Sequence, residues 1–162
     1  MLRRRRDREQ PSTYAELRAL ALGAVAKGIE TASADHPNVS GVVIDIPSGG
    51  SYATIVALTD NTTSMYTSVG GGTIGAGQHE RVAAVTHALL AAVDAQLDQF
   101  TGTDDASLPP AGTVRFHVLT ETGGHTKDVP EDAFWGRAKD PLMPVIAAAQ
   151  GVITAMREVS PD

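Results

Sequence analysis

The sequence predicts an α+β domain: a single antiparallel sheet of about five strands packed by three helices, in the order α-β-β-β-α-β-β-α. Three observations predict it. Strand-like segments come in two groups joined by hairpin signals, segments of helical period separate and flank those groups, and regular β-α alternation is missing. At 162 residues the chain is about one domain long, enough to bury a core without disulfides or metals.

The first helix starts at Thr13, because Thr13-Tyr14-Ala15-Glu16 has the capping-box form, a hydroxyl at the cap and a carboxylate three residues on. It is expected to run to about Ser33. Leu17, Leu20, Ala24 and Gly28 make one apolar stripe, and Leu22, Val25 and Ile29 make a second. Two stripes need two coverings, so the second lies under another element or forms an oligomer contact.

After the breaker Asp35-His36-Pro37-Asn38, strands are expected at Val39 to Ile46, Ser51 to Thr59 and Thr62 to Val69. Pro47-Ser48-Gly49-Gly50 and Asp60-Asn61 are hairpin signals that join them into an antiparallel meander. Val42, Ile44 and Ile46 share one face and Val43 and Asp45 the other, so the sheet has one core face and one partly polar face. The second helix spans about Gln78 to Phe100, with the stripe Val82, Val85, Leu89, Val93 and Leu97. A polar linker from Thr101 to Gly112 leads to strands at Thr113 to Glu121 and His125 to Val129, turned by Thr122-Gly123-Gly124. Asp140-Pro141 announces the last helix, and Pro144 fits its first turn.

Composition narrows the function classes. There is no cysteine, which excludes disulfides, thiolate nucleophiles and sulfur-ligated zinc. The net charge of −6 is uneven, since residues 1–8 hold five of the 13 basic side chains and one of the 19 acids. The remainder, eight bases against eighteen acids, carries −10 and repels phosphate backbones. Nucleic-acid binding is therefore expected only through the Arg3 to Arg8 tail. That cluster has the form of a secretory signal's start, but the apolar stretch Ala19 to Ala26 is short, distant and flanked by Glu16, Arg18, Lys27 and Glu30. No apolar run approaches the ~20 residues of a membrane span. The expectation is a cytoplasmic chain with a disordered basic tail over residues 1–11 and a single domain over 12–159.

One motif stands out. Gly70, Gly71, Gly72, Gly75 and Gly77, followed by His79 and Glu80, form a glycine-rich passage from a strand to a helix, and Gly70, Gly72 and Gly75 satisfy G-x-G-x-x-G. Glycines let a backbone approach an anion, and the amides at the start of the following helix offer partial positive charge. The surroundings do not suit a dinucleotide loop: the preceding strand belongs to a meander, no parallel strand follows, and no acid closes a second strand about 20 residues on. A Walker loop needs a lysine that is missing after Gly77. The plainer role of the glycines is to permit positive φ at a sharp exit from the sheet. The candidate ligand-binding residues are thus Gly70, Gly71, Gly72, Gly75, Gly77, His79 and Glu80.

Other chemistry-bearing residues are scattered. His79 and His87 are two helical turns apart, too far to share a metal. His117 and His125, on hairpin-linked strands, could approach each other with Asp45, Glu121 or Asp128, although satisfied sheet histidines are the plainer reading. Ser48, Ser51 and Ser68 lie in no Gly-x-Ser-x-Gly elbow. Asp104-Asp105 and Glu131-Asp132 sit in polar loops, and Phe134 with Trp135 plugs a core edge or, if exposed, marks an interface. No catalytic set, metal site or cofactor is expected.

Two resemblances add to this. The order α-β-β-β-α-β-β-α, the size and the acidity resemble the secretion-chaperone fold, whose members are mostly homodimeric, cofactor-free binders of proteins. Separately, Tyr66 to Val69, Gly70 to Glu80, Val114-Arg115-Phe116 and Gly136-Arg137 to Pro141-Leu142 resemble a set of uncharacterised bacterial proteins, over residues 39–157. That second resemblance implies no activity. The expected function is a non-enzymatic protein-interaction domain, a small acidic adaptor or chaperone-like binder that is homodimeric through its first helix or a sheet face. The alternative is a small-anion or nucleotide-binding protein or enzyme that uses the turn from Gly70 to Glu80.

Overall fold

The structure, a computed structural model, describes residues 13–23 and 33–159. The expected basic tail and the far half of the first helix, residues 24–32, lie outside the described residues. Seven strands pair in the order β4-β3-β2-β1-β6-β7-β5, every pairing antiparallel: β1 (Gly41–Ser48), β2 (Ser51–Leu58), β3 (Thr63–Thr67), β4 (Gly72–Thr73), β5 (Thr101–Gly102), β6 (Thr113–Thr120) and β7 (Gly123–Pro130). Four helices accompany them among the described residues: α1 (Tyr14–Leu22), α2 (Glu80–Ala95), α3 (Glu131–Phe134) and α4 (Met143–Val159).

The α+β class with one antiparallel sheet is as expected; the counts of about five strands and three helices are not. Each extra element is short. β4 and β5 are two-residue edge strands that contain glycine, so they carry no alternation to read. Helix α3 is a single turn, too short for a hydrophobic period. The second helix also divides: 3₁₀ turns at Ala76–Gln78 and Leu97–Gln99 flank α2 where one helix from Gln78 to Phe100 was expected.

The alternation along β1 sorts the two sheet faces. Val42, Ile44 and Ile46 join Ile55, Val114, Phe116 and Val118 on one face, which α2 and α4 cover with Val82, Leu89, Leu90, Val93, Ile146, Ala149 and Val152. Fully burying such side chains contributes roughly 1.5–3 kcal/mol each, so this layer supplies most of the stability. The opposite face carries Val43, Val56, Leu58, Tyr66 and Leu119, and α1 lies on it through Tyr14, Leu17, Ala21 and Leu22. A Thr13 side-chain oxygen accepts the Glu16 amide at 3.2 Å, the first half of the anticipated capping box. Asp140 accepts the Leu142 amide at 2.8 Å just ahead of α4. Among the described residues no helix is long and apolar enough to cross a membrane.

Candidate functional site

The second face of the sheet is where polar chemistry collects. Register sets it up: Asp45 of β1 stands opposite Thr54 of β2 and Arg115 of β6, and His117 is opposite the neighbouring Val43. Cross-strand partners share a face, so these side chains all point toward α1. Asp45 is fully buried there. A buried carboxylate is costly unless it is paired and hydrogen-bonded, and this one is both. Arg18 of α1 donates to it from Nε (3.0 Å to Oδ1) and Nη2 (2.7 Å to Oδ2), the bidentate geometry guanidinium favours. Thr54 donates to Oδ1 at 2.7 Å, and His117 Nε2 lies 2.8 Å from Oδ2. Tyr14 hydrogen-bonds Thr54 and so extends the network to the start of α1.

Burial by itself would raise the Asp45 pKa. The hydrogen bonds from His117, Arg18 and Thr54, with the Arg18 charge, outweigh it and hold the carboxyl below its ordinary range. Because the carboxylate only accepts, His117 must carry its proton on Nε2. The 3.3 Å approach of Arg18 Nη2 to that same nitrogen is then two donors converging on one oxygen, not a further hydrogen bond. The linker from Thr103 to Gly112 is fastened over this face as well. Arg18 Nη2 donates to Ala106 O at 2.6 Å, Tyr52 Oη to Pro109 O at 2.6 Å, and Arg115 Nη1 to Ser107 O at 3.1 Å. Arg115 in turn holds Asp128, its register partner on β7, through Nε at 2.7 Å.

The glycine turn takes the form of a hairpin. Gly70, Gly71, Gly72 and Gly75 all have positive φ, and Gly72 pairs with Tyr66 across the β3–β4 ladder. Two of its glycines are required by close approach. A Cβ on Gly72 would stand 2.1 Å from Met65 O, and one on Gly77 would stand 1.6 Å from Asn61 O. The amides of Gln78 and His79 donate to Gly75 O and Ala76 O at 3.3 and 3.1 Å. His79 caps α2 with its backbone, makes no side-chain cap bond, and is exposed beside exposed Glu80. Val69 and Ile74, also on this turn, are strongly exposed.

The five histidines do not gather. His117 belongs to the Asp45 network, whereas His125 pairs in register with Val118, so its ring faces the opposite side of the sheet, over Gly102. His36 and His87 form a pair that spacing along the sequence does not suggest. Fully buried His36 stacks on His87 with centroids 5.4 Å apart, and its Nε2 lies 3.1 Å from His87 Nδ1. His36 Nδ1 must donate to Val39 O (3.1 Å), so its Nε2 accepts from His87. His87 Nε2 lies 2.5 Å from the Asn61 side-chain amide at the β2–β3 turn; with the Nδ1 proton given to His36 it can only accept, which requires Asn61 to turn its NH₂ toward the ring. No group of three or more metal-ligating side chains is assembled among the described residues. Phe134 is in the core against Phe116, and exposed Trp135 packs edge-on against it.

In the sequence, Asp45 and His117 stand out only as possible metal neighbours, and Arg18 only as a charge flanking an apolar stretch. A signal for their pairing is nonetheless present. An aspartate on a strand with apolar neighbours on both sides needs a cation, and Arg18 is the one basic residue of the apolar first helix before Lys27. Comparison of the chain with protein-family models, with curated proteins and with solved structures finds no match.

Proposed function

We propose that this chain is a small protein-interaction domain that pairs with a second copy of itself through the outward face of α1. One observation carries the reading. Helix α1 uses Tyr14, Leu17, Arg18 and Ala21 to seat itself on the sheet, and the side turned away also carries apolar residues: Ala19, Leu20 and Gly23, with Glu16 at one end, line an open groove of about 420 Å³, with Leu20 53% exposed. Ala19 and Gly23 are one helical turn apart and leave a shallow depression beside the projecting Leu20. A knob next to a hole on one helix is self-complementary about a two-fold axis, the commonest oligomer symmetry.

Light scattering coupled to size-exclusion chromatography tests this. The wild type is expected at twice its 16.9 kDa mass, and Leu20→Glu, which places a charge on the knob without touching the sheet-facing side, is expected at the monomer mass with an unchanged circular dichroism spectrum. A wild type that remains monomeric across the concentration range rules the pairing out.

A further inference from the structure

We propose that His36, His87 and Asn61 form a pH-sensitive latch, which stays closed with one proton added on His87 and opens when a second arrives. The latch joins three elements. Fully buried His36 belongs to the loop ahead of β1, half-buried His87 to α2, and exposed Asn61, at positive φ, to the β2–β3 turn. His36 has no freedom in it. Its Nδ1 donates to Val39 O at 3.1 Å, so Nε2 is left as the acceptor for His87 Nδ1, also at 3.1 Å.

The protons can then be counted. In the neutral pair His87 Nε2 accepts from the Asn61 NH₂. A proton that enters from solvent has that same Nε2 as its seat; His87 then donates from both nitrogens, and Asn61 answers by turning Oδ1 to the ring, a half-turn of one exposed side chain that leaves the other bonds in place. A second proton finds no such seat. On His36 Nε2 it would set two N–H groups against each other across 3.1 Å and put charge on a fully buried ring, so the rings must part before it binds. The surrounding charge favours the first proton. The loop carries Asp35, the turn carries Asp60, and Asp94 of α2 reaches back to the loop to accept the Asn38 amide at 2.7 Å. Glu121 and His125 lie across a small pocket from Pro37 and Asn38. Arg81, the basic residue of α2, is ~9 Å along the helix axis from His87 and pairs with Glu158 of α4. Histidine charges between about pH 5 and 8, which sets the range in which the latch responds.

The test follows the ring nitrogens of both histidines and the Asn61 side-chain amide by NMR in the full chain, from about pH 8 down to about pH 4. His87 is expected to become imidazolium in a single step, with the Asn61 amide moving at the same midpoint while His36 keeps its Nδ1–H form. At lower pH His36 should charge only together with a shift of the Val39 amide, which marks the parted latch. Asn61→Asp keeps a residue type that tolerates the positive φ and offers oxygens only, so it should raise the His87 midpoint by about one unit. The proposal is overturned if His87 stays neutral throughout, if His36 takes the first proton, or if the Asn61 amide does not move with His87. It is equally overturned if His36 charges while Val39 keeps its native shift, or if Asn61→Asp leaves the His87 midpoint unchanged.

Discussion

Replacing Asp45 by asparagine is the sharpest test of how α1 is held. The substitution keeps the shape and removes the charge. The amide oxygen, left in the place of Oδ1, would still accept from Arg18 Nε and Thr54, which lie 3.0 and 2.7 Å from that atom in the wild type. The amide NH₂, in the place of Oδ2, would face Arg18 Nη2 and His117 Nε2, donors that stand 2.7 and 2.8 Å from it. His117 can escape by moving its proton to Nδ1 and accepting from the new amide. Arg18 cannot, because guanidinium has no acceptor. Breaking a buried pair by removing one partner costs about 3–5 kcal/mol, and the histidine's adjustment places this case at the low end, about 3 kcal/mol. For a chain of this size that is a fall of about 6–12 °C in melting temperature.

The sign with pH follows from the direction of the Asp45 shift. Its folded-state pKa is depressed, so its contribution is fully present above the unfolded value of about 3.9 and is lost as pH falls through the folded value. The gap between wild type and Asp45→Asn, read by urea denaturation, should therefore be widest near neutrality and close in acid. Adding Arg18→Met to Asp45→Asn should recover part of the loss, because the uncompensated cation goes with it. A single variant within about 1 kcal/mol of wild type at pH 7, or a gap independent of pH, would refute the reasoning.

Three further outcomes are expected. His87→Ala removes the donor to fully buried His36 and should cost about 1–3 kcal/mol in urea denaturation; an unchanged midpoint would mean the pair is idle. Gly77→Ala, whose Cβ collides with backbone at Asn61, should destabilise by about 1–3 kcal/mol, more than Gly71→Ala, which has open space and only a positive φ to strain it. If Gly77→Ala melts with the wild type, the turn is not held by that approach. Leu20→Glu should leave thermal stability at high dilution unchanged while it shifts the mass in solution, since Leu20 faces away from the sheet.

The elements that could be read from sequence are those whose own period determines their partners. Val42, Ile44 and Ile46 against Val43 and Asp45 give the two faces of β1 correctly, and Val82, Leu89 and Val93 give the buried side of α2. Asn61 at φ 73 and Gly49 and Gly50 at positive φ sit in the hairpins their residue types announce. Elements fixed by long-range pairing were not legible. Thr101–Gly102 is a strand only because β7 offers it a free edge, whereas Gly72–Thr73 pairs locally with β3 but is too short and glycine-rich to show a period. The Asp45 network joins residues 27, 9 and 72 positions apart, and His36 meets His87 across 51; nothing local encodes those distances.

That separation also explains why the polar face is built as it is. An apolar α1 laid on an apolar sheet could slide or rotate, because dispersion contacts are individually weak and non-directional. A bidentate arginine cannot. Arg18 has one orientation in which Nε and Nη2 both meet Asp45 and Nη2 also reaches Ala106, so a single side chain sets the angle of α1 and the seating of the linker together. Fixing α1 at that angle is what turns Ala19, Leu20 and Gly23 outward, and fixing the linker is what places Asp104 and Asp105 beside the β6–β7 hairpin. The proposed dimer face thus depends on one buried ion pair. A variant such as Asp45→Asn should weaken the dimer even though it does not touch that surface, whereas Leu20→Glu should weaken the dimer and leave α1 seated on the sheet.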